Sequence, residues 1–320
     1  MKKMTLLAMA LLLFGVTQAV EFSSQAFTQP GWTTFAAFQQ RYARLKHGSS
    51  DVGKNRYTSS TEAIGAAYST GPWTVGGSLS YEYGRSKYDF VNRSGNFIDG
   101  NGKMRDQTFG VNLFGTYRMM DDWYASGNVF TGFADTKPKY MNSYTSSGTS
   151  AFSSFDSEKD VVFGSSLEVG KYFNLNEGFF IKPFVGFDYS YVPGREYNFM
   201  DNGQWGTMTV GSQNFVEVPV GFGIGKSFHS GNWVFTPNVD FAFINSIGKM
   251  DNKNYNPGFS SYDGQKWRTY GIAGSHYGGR ISAGLDAKLN QKYDIGIDYT
   301  YEGRRDYNDH RISAMFGITF

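Results

Sequence analysis

Apolar and polar residues alternate with period two along most of this chain. In "KYDIGIDYTYE" Tyr293, Ile295, Ile297, Tyr299 and Tyr301 are apolar, whereas Asp294, Gly296, Asp298, Thr300 and Glu302 are small or polar. "NWVFTPNVDFAFI" sets Trp233, Phe235, Val239, Phe241 and Phe243 against Asn238 and Asp240, and "FVEVPVGFGIG" sets Val216, Val218, Val220, Phe222 and Ile224 against Glu217. Successive side chains of a strand point to opposite faces, so each segment predicts a strand with one greasy and one polar face. About twelve segments qualify, near 32–45, 58–70, 73–89, 104–119, 122–138, 158–173, 178–193, 211–228, 232–248, 274–289, 292–303 and 307–320.

The connections alternate too. "TGP", "MMDD", "NLNEG", "HSGN" and "NQK" are tight, whereas "KHGSSDVGKNRY", "VNRSGNFIDGNGK" and "KMDNKNYNPGFSSYDGQKWRTY" are long and polar. Short turns on one side and long loops on the other are the rule of outer-membrane barrels. A soluble sandwich would also alternate, but it supplies no reason for every second connection to be long. Trp73, Trp123, Trp233 and Tyr293 lie beside short turns, and Tyr83, Tyr189, Tyr191 and Tyr301 towards the long loops, which predicts two aromatic girdles. The expected fold class is therefore all-β, a transmembrane antiparallel β-barrel of about twelve strands. Pro183, Pro219 and Pro237 fall inside predicted strands, and a bulge is expected at Pro219.

The N-terminus changes the setting. Lys2 and Lys3, the apolar "LLAMALLLFGV" and the small-residue exit "TQA" have the layout of a signal peptide over residues 1–19. A short segment, 20–31, then leads into the barrel, 32–320. Localisation in a bacterial outer membrane follows. Composition agrees: 18% aromatic residues, 40 Gly and a mean hydropathy of -0.42 fit a polar-lined barrel. A formal charge of +2 gives no reason to expect nucleic acid, and the absence of cysteine excludes disulfides and thiolate chemistry.

Inward parity is assigned to Glu82, Arg118, Glu168, Lys182, Asp188, Glu217, Asp240, Arg280, Asp286, Asp298 and Arg311. Such residues either pair across a lumen and fill it or line a water-filled path, and their excess of acids predicts a weak cation preference. Arg304 and Arg305, at the outer rim, are read as meeting lipopolysaccharide phosphates or an acidic neighbour. His47, His229, His276 and His310 close no set of nucleophile, base and orienting group, so no catalytic, cofactor or metal site is expected.

"FFIKPFVGFDYSYV", "WVFTPNVDFAFI", "GGRISAGLDAKL" and the terminal "KYDIGIDYTYEGRRDYNDHRISAMFGITF" resemble the second half of the autotransporter β-barrel family. "WTTFAAFQQRYAR" and "DQTFGVNLFGTYRMMDDWYASG" are similar to its first strands, so the resemblance runs from about Trp32 to Phe320. It implies a twelve-stranded barrel that ordinarily follows an exported passenger and holds a helix in its lumen. Here only "VEFSSQAFTQPG" separates the expected cleavage from the first strand, which points to a stand-alone barrel, structural or pore-forming. The alternatives are a surface adhesin acting through its long loops or a translocator for a separately encoded passenger. Outer-membrane lipid, lipopolysaccharide and the barrel-assembly machinery are the expected partners. Phe316, Ile318 and Phe320 resemble the C-terminal signal that this machinery reads, Phe320 also being placed as a girdle residue.

Overall fold

A computed structural model describes residues 30–45, 52–90, 97–145, 148–152, 154–155, 158–193, 195–201, 204–210, 212–248, 258–262, 265–269, 276–305 and 307–320. The expected leader, nearly all of the segment 20–31 and His47 lie outside the described residues. Twelve long strands follow in chain order: β1 Gly31–Leu45, β2 Val52–Thr70, β3 Trp73–Phe90, β4 Phe97–Arg118, β5 Trp123–Thr145 and β6 Glu158–Lys171. The remainder are β7 Phe179–Val192, β8 Gln213–Lys226, β9 Trp233–Gly248, β10 Tyr277–Leu289, β11 Tyr293–Arg304 and β12 Tyr307–Thr319. Each pairs antiparallel with its neighbours in sequence, and β12 pairs with β1 from Thr33↔Thr319 to Leu45↔Tyr307, closing the barrel. A closed sheet leaves no edge unpaired, which is the condition for crossing hydrocarbon with strands. No described helix is long and apolar enough to cross a membrane.

The tight turns use left-handed backbone without relying on glycine alone. Asp121, Asp122, Asn290 and Gln291 all have φ between 53° and 62°, the conformation that matches a two-residue turn to the twist of its strands. Asp and Asn tolerate it because their short polar side chains bond locally.

Alternation along β12 is complete from Arg311 to Gly317: Ile312, Ala314 and Phe316 are exposed while Arg311, Ser313 and Met315 are buried, and Ile318 is half-buried. Trp73, Trp123 and Phe320 are exposed beside the short turns, whereas Trp233, Tyr293, Tyr83, Tyr189, Tyr191 and Tyr301 are half-buried. The inner face is not purely polar. Phe35, Tyr57, Tyr124, Phe130 and Phe180 are buried within the barrel. Several lie over a glycine of the adjacent strand: a Cβ on Gly84 would meet the Tyr57 hydroxyl at 2.5 Å, and one on Gly170 the Tyr124 hydroxyl at 2.5 Å. Glycine thus creates the floor on which an inward ring can lie flat.

The bulge expected at Pro219 is absent. The β8–β9 ladder runs through Pro219↔Ile244 in constant register, while the β7–β8 ladder skips from Val185↔Val220 to Asp188↔Glu217 and resumes in frame. The missing N–H therefore faces β7, where Gly186 leaves room; a Cβ there would stand 2.7 Å from the proline ring. Pro183 and Pro237 likewise sit at in-frame gaps, next to β6 and β8 respectively.

Part of what reads as loop is also strand. Residues 154–155, 195–201, 204–210, 258–262 and 265–269 form a second, five-stranded sheet from the connections after β5, β7 and β9. Wall height varies: β4 and β5 run 22 and 23 residues, β11 and β12 only 12 and 13.

Candidate functional site

The polar inner wall is organised into two layers. The outer layer begins at Arg41, whose Nε donates to both Asp309 oxygens at 3.0 Å and whose Nη2 donates to the Tyr307 hydroxyl at 2.9 Å. Asp309 also accepts from Arg311 Nη2 at 2.9 Å, and Arg311 lies 3.5 Å from Glu302. Glu302 gathers three arginines, Arg311, Arg304 at 2.8 Å and Arg280 at 3.4 Å. From there the layer continues along the inner wall past β10 and β9. Arg304 on β11 donates to Glu217 on β8, two strands away from its own neighbours, and to Ser246 on β9. Ser246 Oγ in turn donates to Glu217 at 3.0 Å, and Arg280 stands 4.0 Å from Asp188 on β7. Four guanidinium groups face four carboxylates, so burial is offset by neutralisation rather than by solvent.

The inner layer centres on Lys182 of β7, 3.8 Å from Glu168 on β6 and 3.7 Å from Asp240 on β9. Lys182 reaches Asp240 across β8 because Gly223 lies beneath the pair; a Cβ there would collide with the Asp240 carboxylate. The Tyr124 hydroxyl donates to Glu168 at 2.6 Å, and the lysine ammonium lies 5.2 Å from the Phe184 ring centre. Between the layers is a cavity of about 260 Å³ lined by Glu168, Asp188, Asp240, Asp286 and Asp298, with Lys182 and Arg280 as its cations.

Glu82 is buried and accepts from the Tyr57 hydroxyl at 2.7 Å. Asp286 accepts from Asn238 at 3.5 Å and Asp298 from Thr300 at 2.9 Å. Arg118 ends β4 at the short-turn rim, where it is exposed. Arg41, Glu302 and Asp309 are not among the expected lumen residues, and Arg304 is expected at the rim against lipopolysaccharide phosphates or an acidic neighbour; together they hold the outer layer. For three of them the signal is available in the sequence, since Glu302 and Arg304 share strand and parity with Asp298, and Asp309 with Arg311. Arg304 is not turned towards lipid: its side chain is buried against Glu302 and Glu217, and Arg305 alone of the pair is exposed.

Histidine geometry is local. His276 Nδ1 lies 2.9 Å from the Ser246 carbonyl oxygen, and His310 Nδ1 lies 2.9 Å from the Tyr299 hydroxyl on the outward face. His229 is exposed beside a short turn. Among the described residues no group of three His, Asp or Glu side chains gathers as a metal-binding set.

The autotransporter beta-domain family matches residues 34–300. No curated protein sequence matches the chain. Among solved structures, the β-domain of the Bordetella autotransporter BrkA is 17% identical, with a TM-score of 0.62 over 91% of this chain and 100% of that one. The translocator domain of the autotransporter NalP from Neisseria meningitidis is 14% identical, with a TM-score of 0.62 over 98% and 94%. A mutant of the monoaromatic hydrocarbon channel TodX is 10% identical, with a TM-score of 0.58 over 93% and 92%. At these identities the likeness is one of fold, and the fold is that of an outer-membrane barrel.

Proposed function

The chain belongs to the autotransporter beta-domain family, and from that membership we propose an outer-membrane barrel whose lumen is held nearly shut by ion pairs, structural or a narrow pore in role. The observation that carries this reading is the bridging of the inner wall by Arg304–Glu217, Arg280–Asp188 and Lys182–Asp240, each between strands two or three apart, which sets paired charges on the lumen side. Charges so arranged pair with one another and leave little free water path. Acids exceed bases around the cavity, which supports weak cation preference in whatever current passes. The reading is non-enzymatic: His276 is engaged with the Ser246 carbonyl and His310 with the Tyr299 hydroxyl on the outward face, and among the described residues neither bonds a carboxylate that would orient it as a base. Residues 1–19 serve as the export signal, and the barrel-assembly machinery and lipopolysaccharide are the partners in this reading.

Recording in planar bilayers tests it. The native barrel should give small or no steps, and Arg304→Ala combined with Lys182→Ala should raise conductance several-fold. Large, steady steps from the native barrel would overturn the proposal. The match to translocator domains favours a second reading, passage of a separately encoded passenger. In that case the native barrel is silent alone and conducts only after the passenger is added.

A further inference from the structure

Outward side chains near the long-loop ends differ sharply between the two halves of the wall. On β7–β10 they are Tyr191, Asn214, Val216, Ile247, Tyr277 and their like, without charge. On β1–β5 they include a row of bases, interleaved with Tyr42, Thr58, Tyr83 and Gln107. Arg44 is paired with Arg56, Arg56 with Lys87, Arg85 with Arg105, and Arg105 with Lys137. All lie outside the barrel, exposed or half-exposed. Like charges directly opposite in a ladder repel, so a row of them requires an external counter-charge.

Height places that counter-charge. Arg44, Arg56, Arg85 and Arg105 each stand twelve residues along their strand from Trp32, Tyr68, Trp73 and Tyr117, the aromatics at the short-turn side. Twelve residues of a tilted strand climb roughly 30 Å, just above an apolar band of about 25 Å. The strands continue beyond, so the basic row lies in the outer headgroup layer. Tyr83 organises its centre: its ring centre is 5.1 Å from the Arg85 guanidinium and 5.3 Å from that of Arg105, and its hydroxyl accepts from Arg85 Nε at 2.9 Å. Among the described residues no carboxylate is in ion-pair contact with Arg56, Arg85 or Arg105. Asp135, at the same height, stands opposite Lys159 and Gln107, and Glu62 sits about half-way down the wall.

We propose that this face of β1–β5 binds the phosphorylated headgroup of an outer-leaflet glycolipid of the lipid A type. Arg85 and Arg105 clamp one phosphate over Tyr83, and Arg56, Arg44 and Lys87 take a second. Two forked guanidinium groups suit a phosphate geometrically and electrostatically. The inference rests on the outer-membrane reading and on the long loops facing outward.

Native mass spectrometry of the detergent-purified barrel with bisphosphorylated lipid A tests it. The native protein should retain the lipid, and Arg56→Gln/Arg85→Gln/Arg105→Gln should weaken retention at least tenfold while heat-modifiable migration remains. Should the triple variant not fold, Arg85→Gln and Arg105→Gln are measured singly, each with a severalfold loss. Lys226→Gln/Lys292→Gln, at the short turns, should bind as the native protein does; loss there instead would show that the sidedness is wrong. Equal retention by native and triple variant, equal retention of dephosphorylated lipid A, or displacement by equimolar inorganic phosphate would each overturn the proposal.

Discussion

Tyr57 and Gly84 show how a single residue can be indispensable without carrying any chemistry. Tyr57 is fully buried inside the wall and donates to Glu82, and it fits only because Gly84 presents no side chain beneath its ring. Gly84→Val drives a methyl group into the ring or its hydroxyl and should cost about 1–3 kcal/mol by overpacking. Unfolding of the barrel in urea and detergent measures this. Adding Tyr57→Ala should recover part of the loss, and strictly additive effects would refute the ring-over-glycine account. A period-two reading could not have found such pairs. It assigns greasy residues to lipid, whereas the inward rings of Tyr57, Tyr124 and Phe130 depend on which glycine lies opposite, a matter of register between strands. The outer layer was half legible for the same reason: Glu217 and Arg311 could be chosen by parity, but that Glu302 and Asp309 bring them together depends on register and on contacts between strands that are not sequence neighbours.

Strand limits were far more legible, because each is set locally by alternation and by a turn. Twelve predicted segments correspond to twelve strands, and the turns at Asp121 and Asn290 fall where expected. Extension was underestimated where the regular apolar alternation stops: β4 begins at Phe97 and β5 runs to Thr145, beyond the lipid, so no sustained period-two pattern marks these ends. The five-stranded sheet in the long connections escaped notice for the same cause. Proline behaves differently from expectation because a closed ladder can lose one hydrogen bond in place when the facing residue is small. Pro219→Val should therefore keep its register and add a bond from its new N–H to β7, a gain of about 0.5–1.5 kcal/mol. Hydrogen exchange would report it as new protection at residue 219. A register shift, or no added protection, would contradict the geometry.

At the scale of the whole molecule the seam between β1 and β12 is the step that makes a barrel of a sheet. It is fastened at its lower end by the Phe320 amide donating to the Trp32 carbonyl at 2.8 Å and by the contact of Thr33 with Thr319 at 2.8 Å. Phe320→Ala leaves that backbone bond in place and removes only the ring, which is 74% exposed and touches little of the wall. Folding into detergent should therefore be unchanged, while the amount assembled in cells should fall several-fold if the ring is read during biogenesis. Equal loss in both settings would make Phe320 a girdle residue alone.

Unequal strand lengths give the barrel a sloping parapet. A 22- or 23-residue strand tilted as in such barrels rises on the order of 20 Å higher than one of 12 or 13. The crest stands over β4 and β5, and the low point falls at β11 and β12, directly beside Asp309 and Arg311. A particle arriving from the medium meets a saddle there with Arg305 exposed on its lip, while the guanidinium and carboxylate belt just below is buried and out of its reach.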